Sequence, residues 1–352
     1  MPTQAVNPAV AALADRLAQL PTGQRPEGFL ILGGGYSGLR LGRALAAAGV
    51  PVQLTHRTRR RQRDGSTVTV AARSAEDAGR LRWLPFNGDP IGLEGLVHPE
   101  TVTHLLSTIP PDGNGEDPAL TALGNQLEHL PLRWVGYLST TGVYGDRQGG
   151  WVDETSDTSR CRQRSEARVQ SERAWLARGW PLQRFRLPGI YGPGRCPFDN
   201  LRQSRARLIH KPGQVFSRIH VDDIAGAVLH NLLLSPEQRP AVLNVADDAP
   251  CPSSETLAYA AHLLGLGLPP FERLEEVADS LSPMARSFWE ENRRVSNRLL
   301  CQTLGYRLIH PTYREGFRAS LTEAQGNEAL AGKDQGRRQS SGLPASAGPS
   351  RS

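Results

Sequence analysis

One short segment, an apolar run that ends in a glycine-rich turn, constrains the fold of this chain more than any other feature. Residues 29–32 (FLIL) lead into residues 33–38 (GGGYSG), after which leucine and alanine recur at helical spacing as far as Gly49. A second apolar run follows at residues 50–55. A strand, a glycine turn, a helix and a strand within about 30 residues have the size and order of a βαβ unit. The segment therefore predicts the beginning of a parallel sheet.

The alternation of strand and helix patterns continues beyond this unit. Apolar runs at 83–86, 104–107, 134–138 and 182–187 predict strands, and residues 120–130 and 162–178 predict helices between them. From residue 192 the alternation breaks down: strand candidates remain at 215–221 and 242–245, and residues 253–324 have a mostly helical pattern. The whole predicts an α/β fold, a Rossmann-type doubly wound parallel sheet with a smaller, mostly helical C-terminal lobe.

The same patterns predict the domain boundaries. Residues 1–27 form an N-terminal extension that contains a short helix, and residues 28–191 form the Rossmann-type domain, to which residues 215–247 return. Residues 192–214 and 248–324 form the smaller lobe. The tail at 325–352 is rich in glycine, serine, proline and arginine without periodicity, and is predicted to be disordered.

Composition argues against several functional classes. The formal net charge is +6, but no nucleic-acid-binding motif lies beside the basic run at 57–63, which a solvated loop also explains. The four cysteines are far apart and no cluster has metal-ligand spacing, so neither a zinc site nor a disulfide framework is expected. No apolar run is long enough for a membrane span, and the N-terminal stretch lacks the features of a signal peptide. We therefore expect a cytoplasmic protein without metal, nucleic-acid or membrane partners.

The glycine turn has the spacing of a dinucleotide-binding motif. Gly33 permits the tight turn, Gly35 lets the backbone approach a pyrophosphate, and Gly38 lets helix and strand pack closely. Tyr36 and Ser37 complete the turn at the N-terminus of a helix, where free N–H groups and the helix dipole attract phosphate. Because the turn follows a predicted strand and opens a predicted helix, we interpret it as a dinucleotide site; a glycine turn without a ligand is the alternative.

The end of the second predicted strand favours NADP over NAD. An NAD site places an acidic residue there to bind the ribose 2′-hydroxyl, but residues 28–63 contain no acidic residue. Thr55, His56 and Arg57 stand at the expected place, and a guanidinium matches the geometry of a 2′-phosphate. The sequence therefore predicts NADP(H); NAD remains the alternative if an acid from elsewhere reaches the ribose.

Three further sequence blocks follow the glycine turn in order. They are residues 138–145 (LSTTGVYG), 186–194 (RLPGIYGPG) and 218–225 (RIHVDDIA). With the glycine turn, they make the chain similar to the extended short-chain dehydrogenase/reductase family, in its NAD-dependent epimerase/dehydratase branch of nucleoside-diphosphate-sugar epimerases. The similarity runs from about residue 29 to residue 321.

The resemblance implies positions for the cofactor. Asp89 would lie near the adenine, and Arg168 would hold the nicotinamide ribose. Leu187 and Pro188 would border the nicotinamide. The residues that would line the dinucleotide after the strand at 104–107 are Ser107, Thr108, Ile109 and Pro110.

The catalytic part of the resemblance fails. Members of this family use a Ser or Thr, a Tyr, and a Lys four residues after the Tyr. Thr140 occupies the first place, but Arg164 and Arg168 stand where the Tyr and the Lys are expected. No tyrosine lies between residues 144 and 191 and no lysine precedes residue 211, so the loss does not depend on the alignment register. A guanidinium stays protonated at neutral pH, so it cannot donate the proton.

Thr140, which would also contact the cofactor, and Tyr144 remain as candidate catalytic residues. In the family, an arginine on the strand before the Asp-capped helix binds the substrate diphosphate, and that position is Phe216 here. Arg218, two residues on, would point to the same face of a strand, and is the candidate for substrate binding; a surface arginine is the alternative.

The polar residues that follow are interpreted as structural. His220 lies in a strand pattern and is predicted to be a hydrogen-bonded core histidine. Asp222 and Asp223 are predicted to be helix caps. The adjacent acids Asp153 and Glu154 would point apart, which disfavours paired-carboxylate chemistry.

Two functions fit these observations. The first is an NADP(H)-dependent oxidoreductase or epimerase-like enzyme with a non-standard active site, whose small or sugar-nucleotide-like substrate enters between the lobes. The second is a non-catalytic NADP(H)-binding redox sensor or scaffold. The resemblance also implies a homodimer, formed through the helices at 119–130 and 162–178.

Overall fold

The computed structural model describes residues 6–61, 67–69, 81–88, 95–112, 114–159 and 163–340 of the chain. Its strands are β1 (Gly28–Leu32), β2 (Val52–His56), β3 (Arg59–Arg61), β4 (Thr67–Thr69), β5 (Leu81–Pro85), β6 (Val102–Ser107), β7 (Trp134–Thr140), β8 (Trp151–Val152), β9 (Leu182–Leu187), β10 (Gly189–Tyr191), β11 (Leu208–His210), β12 (Arg218–His220), β13 (Val242–Asn244), β14 (Phe271–Arg273) and β15 (Arg294–Val295). Its α-helices are α1 (Pro8–Ala18), α2 (Tyr36–Ala47), α3 (Pro118–Leu127), α4 (Gln163–Leu176), α5 (Phe198–Arg202), α6 (Val221–Leu233), α7 (Ser253–Leu264), α8 (Leu274–Val277), α9 (Pro283–Ser287) and α10 (Tyr313–Ser340).

A seven-stranded parallel sheet has the order β13-β9-β7-β6-β1-β2-β5. The chain winds outward from β1 in both directions, because β2 pairs with one edge of β1 and β6 with the other. In sheets of this kind, ligands bind outside the carboxyl ends of the strands at the point where the winding reverses. The predicted Rossmann-type α/β fold is confirmed. Residues 242–244 form β13, the edge strand of the sheet beside β9.

Helices cover both faces of the sheet, because parallel strands are apolar on both sides. All residues of β1 and of β6 are buried. On one face, Leu17 of α1, Leu41 of α2 and Ile224 of α6 belong to a single core cluster. On the other face, Leu123 of α3 and Trp175 of α4 pack together. The N-terminal extension therefore contributes α1 to one of the helical layers.

The segment at 253–324, predicted to be mostly helical, is so only at its two ends. Between α7 and α10 the chain forms the short helices α8 and α9 and the two-to-three-residue strands β14 and β15, which pair with β11 and β8. Glycine and proline at residues 265–270 (GLGLPP) end α7 and prevent its continuation. A core of aromatic and aliphatic side chains, with Tyr191, Phe198 and Phe317 at its centre, joins these pieces.

The segment predicted as one strand at 215–221 is divided between two elements. Only Arg218–His220 is strand, and α6 begins at Val221, before the predicted start of the helix. The helix cap is His220, whose Nδ1 accepts a hydrogen bond from Asp222 N (3.2 Å). The prediction that Asp222 and Asp223 cap the helix was therefore wrong. Both carboxylates lie inside the first turn and bind other parts of the chain.

The C-terminal tail is helical for part of its length. Helix α10 continues to Ser340, although disorder was predicted from residue 325. Alanine, glutamate, glutamine, lysine and arginine are frequent between residues 324 and 338, and these residues favour helix even without an apolar stripe. Among the described helices, including this one of 28 residues, none is long and apolar enough to cross a bilayer.

Candidate functional site

The glycine turn joins β1 to α2 and is held by a threonine on each side. Thr55 Oγ1 accepts a hydrogen bond from Gly33 N (2.7 Å), and Thr108 Oγ1 donates one to Gly33 O (2.8 Å). Gly33 has a φ of +97°, and a Cβ there would lie 2.5 Å from Thr108 Oγ1, so only glycine fits. A Cβ on Gly38 would lie 2.3 Å from Gly33 O. This contact is the close approach of helix and turn that the motif predicts.

Gly35, in contrast, faces open space. No described atom lies within 4 Å of a Cβ built on it, and its φ of −79° is unstrained. Gly35 is the N-cap of α2, and as a glycine it has no side chain to bond the first amides of this helix. Uncapped N–H groups at the positive end of a helix form a site for an anion. The turn thus fits a pyrophosphate, which would take the place that a capping side chain takes at the N-terminus of other helices.

Two hydroxyls predicted to contact the cofactor have different environments. Ser107 Oγ, at the end of β6, is fully buried and has no hydrogen-bond partner within the described part of the chain. A buried polar group without a partner is costly, and a bound ligand would satisfy it. Thr55 is 1% exposed and its hydroxyl already holds the turn. We therefore correct the role of Thr55 from cofactor contact to support of the glycine turn.

The end of β2 presents basic and aromatic groups. His56 is half-buried with its ring perpendicular to that of Trp83, the centroids 5.6 Å apart, and Arg57 is exposed. Asp89, which the resemblance places near the adenine, lies outside the described residues. The predicted selectivity for NADP therefore depends on His56 and Arg57 within this part of the structure.

Tyr36 connects the glycine turn to the loop after β10. Its hydroxyl donates to Pro193 O (3.0 Å), and the Arg195 guanidinium stacks over its ring, 4.1 Å from the centroid. Burial raises the pKa of Tyr36 well above its usual value, so the phenol stays protonated. Arg195 is exposed and lies beside the first residue of α2. Sequence reasoning missed this cation because about 160 residues separate it from the turn.

A cleft of about 1740 Å³ opens at the carboxyl ends of β7 and β9. Part of the predicted site lies on its wall: Pro110, Thr140, Arg168, Pro188 and Arg218. The cleft therefore brings together residues from five separate segments of the chain, outside the carboxyl ends of the strands.

Three other predicted residues are placed away from the cleft wall. Leu187 is 4% exposed and packs into the core beneath the sheet. Ile109 is 9% exposed and packs on the opposite core cluster. Thr108 is engaged on the glycine turn, as described above. These side chains support the site rather than line it.

The two candidate catalytic residues are separated by the structure. Thr140 lies on the cleft, where its Oγ1 accepts a hydrogen bond from Gly142 N (3.1 Å). Tyr144 is fully buried, donates its hydroxyl proton to Asn244 Oδ1 (2.7 Å), and stacks against the Arg186 guanidinium. Burial also raises the pKa of Tyr144 above its usual value. Tyr144 is therefore a core residue, and the prediction that it contributes to chemistry is corrected.

Arg168 lies on the cleft, on α4, near the end of β7. Its Nη1 donates to Leu138 O (3.0 Å) and to the Tyr137 hydroxyl (3.2 Å). Behind it, Glu172 on the same helix is 3% exposed and accepts hydrogen bonds from Ser139 Oγ (2.6 Å) and from Nε and Nη2 of Arg186. This buried ion pair fixes α4 against β7 and β9 and so positions the wall of the cleft.

Arg218 also lies on the cleft, but its guanidinium is turned toward the protein. Nη1 donates to Phe216 O (2.8 Å) and Cys251 O (3.2 Å). Phe216 occupies the place of the diphosphate-binding arginine that the resemblance implies, and its ring packs perpendicular to Trp289, the centroids 5.4 Å apart. An aromatic pair thus stands where the related enzymes are expected to carry a cation.

Sequence reasoning missed a second wall of the cleft. Residues 282–293, which include Phe288 and Trp289, line it together with Glu166 of α4. The exposed Glu166 lies in the charged segment that was predicted as a helix, but nothing in that pattern distinguished it from its charged neighbours as a site residue. No local signal could identify the segment at 282–293, because it becomes part of the site only through the packing of the lobes.

A buried carboxyl group lies directly behind Arg218. Asp247 is 2% exposed, its N–H donates to Arg218 O (2.8 Å), and its Oδ2 has no hydrogen-bond partner among the described residues. Burial raises the pKa of Asp247 to about 7. Since the unfolded pKa is about 3.9, the contribution of this group to stability is present below that pKa and is lost as the pH rises toward about 7.

The variant Asp247→Asn is expected to abolish this loss. Relative to the wild type, its free energy of unfolding should rise by about 4 kcal/mol between about pH 4 and about pH 8, because the amide cannot ionise. Urea denaturation at the two pH values measures the difference. Asp279→Asn, at an exposed carboxylate, is the control and should follow the wild type. Parallel pH profiles for Asp247→Asn and the wild type would contradict the burial of an ionisable group here.

Comparison with known proteins is consistent with the architecture. No family model matches the chain. Protein YeeZ of Escherichia coli (strain K12) is 31% identical over 253 residues, which cover 68% of this chain and 85% of YeeZ. The structure of a functionally unknown conserved protein from Silicibacter pomeroyi has 42% identity and a TM-score of 0.71, covering 85% of this chain and 99% of that one.

A more distant structure has the same fold. The human epimerase family protein SDR39U1, solved with NADPH, has a TM-score of 0.60 at 17% identity, covering 84% of this chain and 99% of that one. The sheet order, the glycine turn and these similarities all indicate the same Rossmann-type fold. The chain belongs to the family of protein YeeZ and has the Rossmann-type fold of the NAD-dependent epimerase/dehydratase proteins of the short-chain dehydrogenase/reductase superfamily.

Proposed function

We propose that this protein binds NADP(H) and acts as an oxidoreductase or epimerase-like enzyme on a small or sugar-nucleotide-like substrate, with a non-standard active site. The observation that carries the proposal is the uncapped N-terminus of α2, which is open at Gly35. The structure also has a cleft large enough for a second molecule. When bound, the nicotinamide supplies or accepts a hydride. The residues of the chain bind and orient it.

The proposed contacts begin at the glycine turn and end at residues of the cleft. The amides of the first turn of α2 hold the pyrophosphate, and the exposed Arg195 guanidinium beside Tyr36 adds positive charge. Ser107 Oγ bonds the dinucleotide, which satisfies its unpaired hydroxyl. Thr140 and Arg168, both on the cleft, hold the nicotinamide ribose.

The preference for NADP(H) is argued from charge at the end of β2. His56 and Arg57 stand where an NAD-binding protein has a carboxylate, and they suit a 2′-phosphate. The human epimerase family protein named above was solved with NADPH. Its low identity establishes the fold alone, so the preference rests on the residues of this chain.

The variant Arg57→Asp tests this preference by calorimetric titration with NADPH and with NADH. NADPH binding is expected to weaken by about 1.5–3 kcal/mol, the value of a charge-assisted hydrogen bond, while NADH binding changes little. Arg173→Asp, at an exposed arginine of α4 outside the cleft lining, is the matched control and should bind both cofactors as the wild type does. If neither dinucleotide binds the wild type at millimolar concentration, the proposed function is wrong.

One observation favours a second candidate, a non-catalytic NADP(H) sensor or scaffold. Among the described residues that line the cleft, none is a tyrosine, a lysine or a histidine. The side chains there that can carry a transferable proton are hydroxyls, such as Thr140, and carboxyls, such as Glu166. An unassisted hydroxyl is a poor acid at neutral pH, so the stronger candidate is the carboxylate of Glu166, acting as a base that takes the proton of a substrate hydroxyl and returns it in the reverse direction.

Two measurements separate the enzyme from the sensor. An enzyme should oxidise NADPH with some member of a broad panel of carbonyl compounds and sugar nucleotides, and Glu166→Gln should lower the rate. A sensor should show no turnover, but its hydrogen-exchange protection should differ between the NADP⁺ and NADPH complexes, since a partner can read only a changed surface. Identical protection in both complexes would eliminate the sensor.

A further inference from the structure

The charge of the cleft is unsuited to an anionic substrate. The described residues that line it carry one more negative than positive side chain. The carboxylates are Asp112, Glu166, Glu290 and Glu291, and the guanidinium groups are Arg168, Arg218 and Arg293. A sugar nucleotide brings a diphosphate, which is a dianion, into a space that should instead be lined by excess positive charge.

The three arginines are also bound to the protein itself. Arg168 and Arg218 donate to backbone carbonyls, as described above. Arg293 donates from Nη1 to Gly145 O (2.7 Å) and to Glu291 Oε2 (2.7 Å). A diphosphate that recruited these Nη1 donors would have to break the bonds and leave the backbone acceptors without donors, which is costly. The Nη1 atoms of all three arginines are therefore committed to the protein.

Aromatic rings occupy the substrate side of the same cleft. Phe216 and Trp289 pack edge to face, and Phe288, the next residue in the chain, is 54% exposed. All three line the cleft that Thr140 and Arg168 also line. Large exposed aromatic side chains at a concave site provide stacking surfaces for a flat ring, with energies of about 0.5–1.5 kcal/mol beyond simple burial.

We propose that the cleft selects an uncharged substrate that carries an aromatic ring beside its carbonyl or hydroxyl group, and that it excludes sugar nucleotides. The ring stacks against Phe288 and Trp289, and the reacting group faces Thr140. The surplus of carboxylates repels anionic compounds of the same shape. This inference rests on the proposed function and specifies the substrate class of that site.

The test measures the binding of four probes to protein saturated with NADP⁺, which cannot reduce an aldehyde. The probes are benzaldehyde, cyclohexanecarbaldehyde of similar size, the anionic 4-carboxybenzaldehyde, and UDP-glucose. Ligand-observed NMR gives the dissociation constants. We expect benzaldehyde to bind about two- to tenfold more tightly than cyclohexanecarbaldehyde, the range that one aromatic contact provides, and more tightly than both anions.

Two sets of variants locate the selectivity. Trp289→Leu should abolish the preference of the protein for benzaldehyde over the aliphatic aldehyde. Trp151→Leu, at a tryptophan that is 63% exposed and outside the cleft lining, should retain it. The variant Glu166→Gln should bind 4-carboxybenzaldehyde severalfold more tightly than the wild type does, because a repelling charge is removed.

The inference is overturned if UDP-glucose or 4-carboxybenzaldehyde binds as tightly as benzaldehyde, if the two uncharged aldehydes bind equally, or if no probe binds. NADPH titration of the same sample keeps this result separate from the proposed function. Protein that binds NADPH but shows no preference among the probes contradicts the substrate class alone. Protein that binds no dinucleotide contradicts the proposed function, and the probes are then measured on the chain by itself.

Discussion

The variant Gly35→Val is expected to lose NADPH binding by at least about 100-fold while the protein remains folded. The valine side chain would fill the space in front of the first amides of α2, where nothing described now lies within 4 Å. The side chain would exclude the pyrophosphate, while its Cβ would meet no described protein atom beyond its neighbours in the chain. The free energy of unfolding should fall by no more than about 1 kcal/mol, since valine is a poor N-cap residue.

Calorimetry with NADPH and urea denaturation of the same samples check both parts of this prediction. Gly267→Val is the matched control, since a Cβ there also meets nothing within 4 Å among the described residues. Gly38→Ala provides the contrast: its Cβ would lie 2.3 Å from Gly33 O, so binding and stability should both fall. Undiminished NADPH binding by Gly35→Val would show that the pyrophosphate lies elsewhere.

The variant Arg40→Met is expected to lower the free energy of unfolding by about 3–5 kcal/mol. Arg40, on α2, is 6% exposed; its Nε bonds Asp222 Oδ1 (2.5 Å) and its two Nη atoms bond both carboxylate oxygens of Glu323 (3.0 and 2.8 Å). The ion pairs connect the helix of the glycine turn to α6 and α10. Removal of the guanidinium would leave the Asp222 carboxylate charged and buried.

The pH dependence of this variant is a second readout. Burial by itself would raise the pKa of Asp222, but hydrogen bonds from His310 and Arg40 hold it well below its usual value. The stability that the pair contributes is therefore present above the unfolded pKa of about 3.9 and is lost as the pH falls below it. Without Arg40 that carboxyl should accept a proton more readily, so the deficit of Arg40→Met should shrink as the pH falls from about 7 to about 4.

Asp222→Asn in the Arg40→Met background is the rescue variant. It removes the stranded charge and should recover part of the lost stability, because an amide is less costly to bury than a carboxylate. Glu323→Gln, at a carboxylate that is 20% exposed, should cost only about 1 kcal/mol. A loss of less than about 1 kcal/mol for Arg40→Met would contradict a structural role for this network.

The elements that the sequence predicted well carry their signals within a few consecutive residues. The strands at 104–107 and 134–138 are visible as apolar runs, and the glycine turn as a spacing of three glycines. The sequence also shows directly that no tyrosine lies between residues 144 and 191 and that no lysine precedes residue 211, because this requires no alignment. Residues 265–312 belong to the segment that was predicted to be mostly helical, and this prediction was wrong for them. They form short helices and strands, which depend on packing between distant segments.

The site shows the same division. The resemblance predicted Pro110, Thr140, Arg168 and Pro188 as cofactor contacts, and these four residues line the cleft. Tyr144 belongs to one of those motifs, but its burial against Asn244 and Arg186 was invisible in the sequence. Local patterns predict which residues share a turn or the end of a strand. They do not predict whether a side chain will be buried or will line the cleft once the helices have packed on the sheet.

The sequence by itself determined the Rossmann-type sheet, the glycine turn, the basic end of β2 and the loss of the usual catalytic pair, because each is a property of neighbouring residues. Only the tertiary structure decided that Thr55 supports the turn, that Arg195 stacks on Tyr36, and that Phe288 and Trp289 line the cleft. These contacts join residues far apart in the chain. They form only when burial of the apolar faces brings the sheet and the C-terminal lobe together.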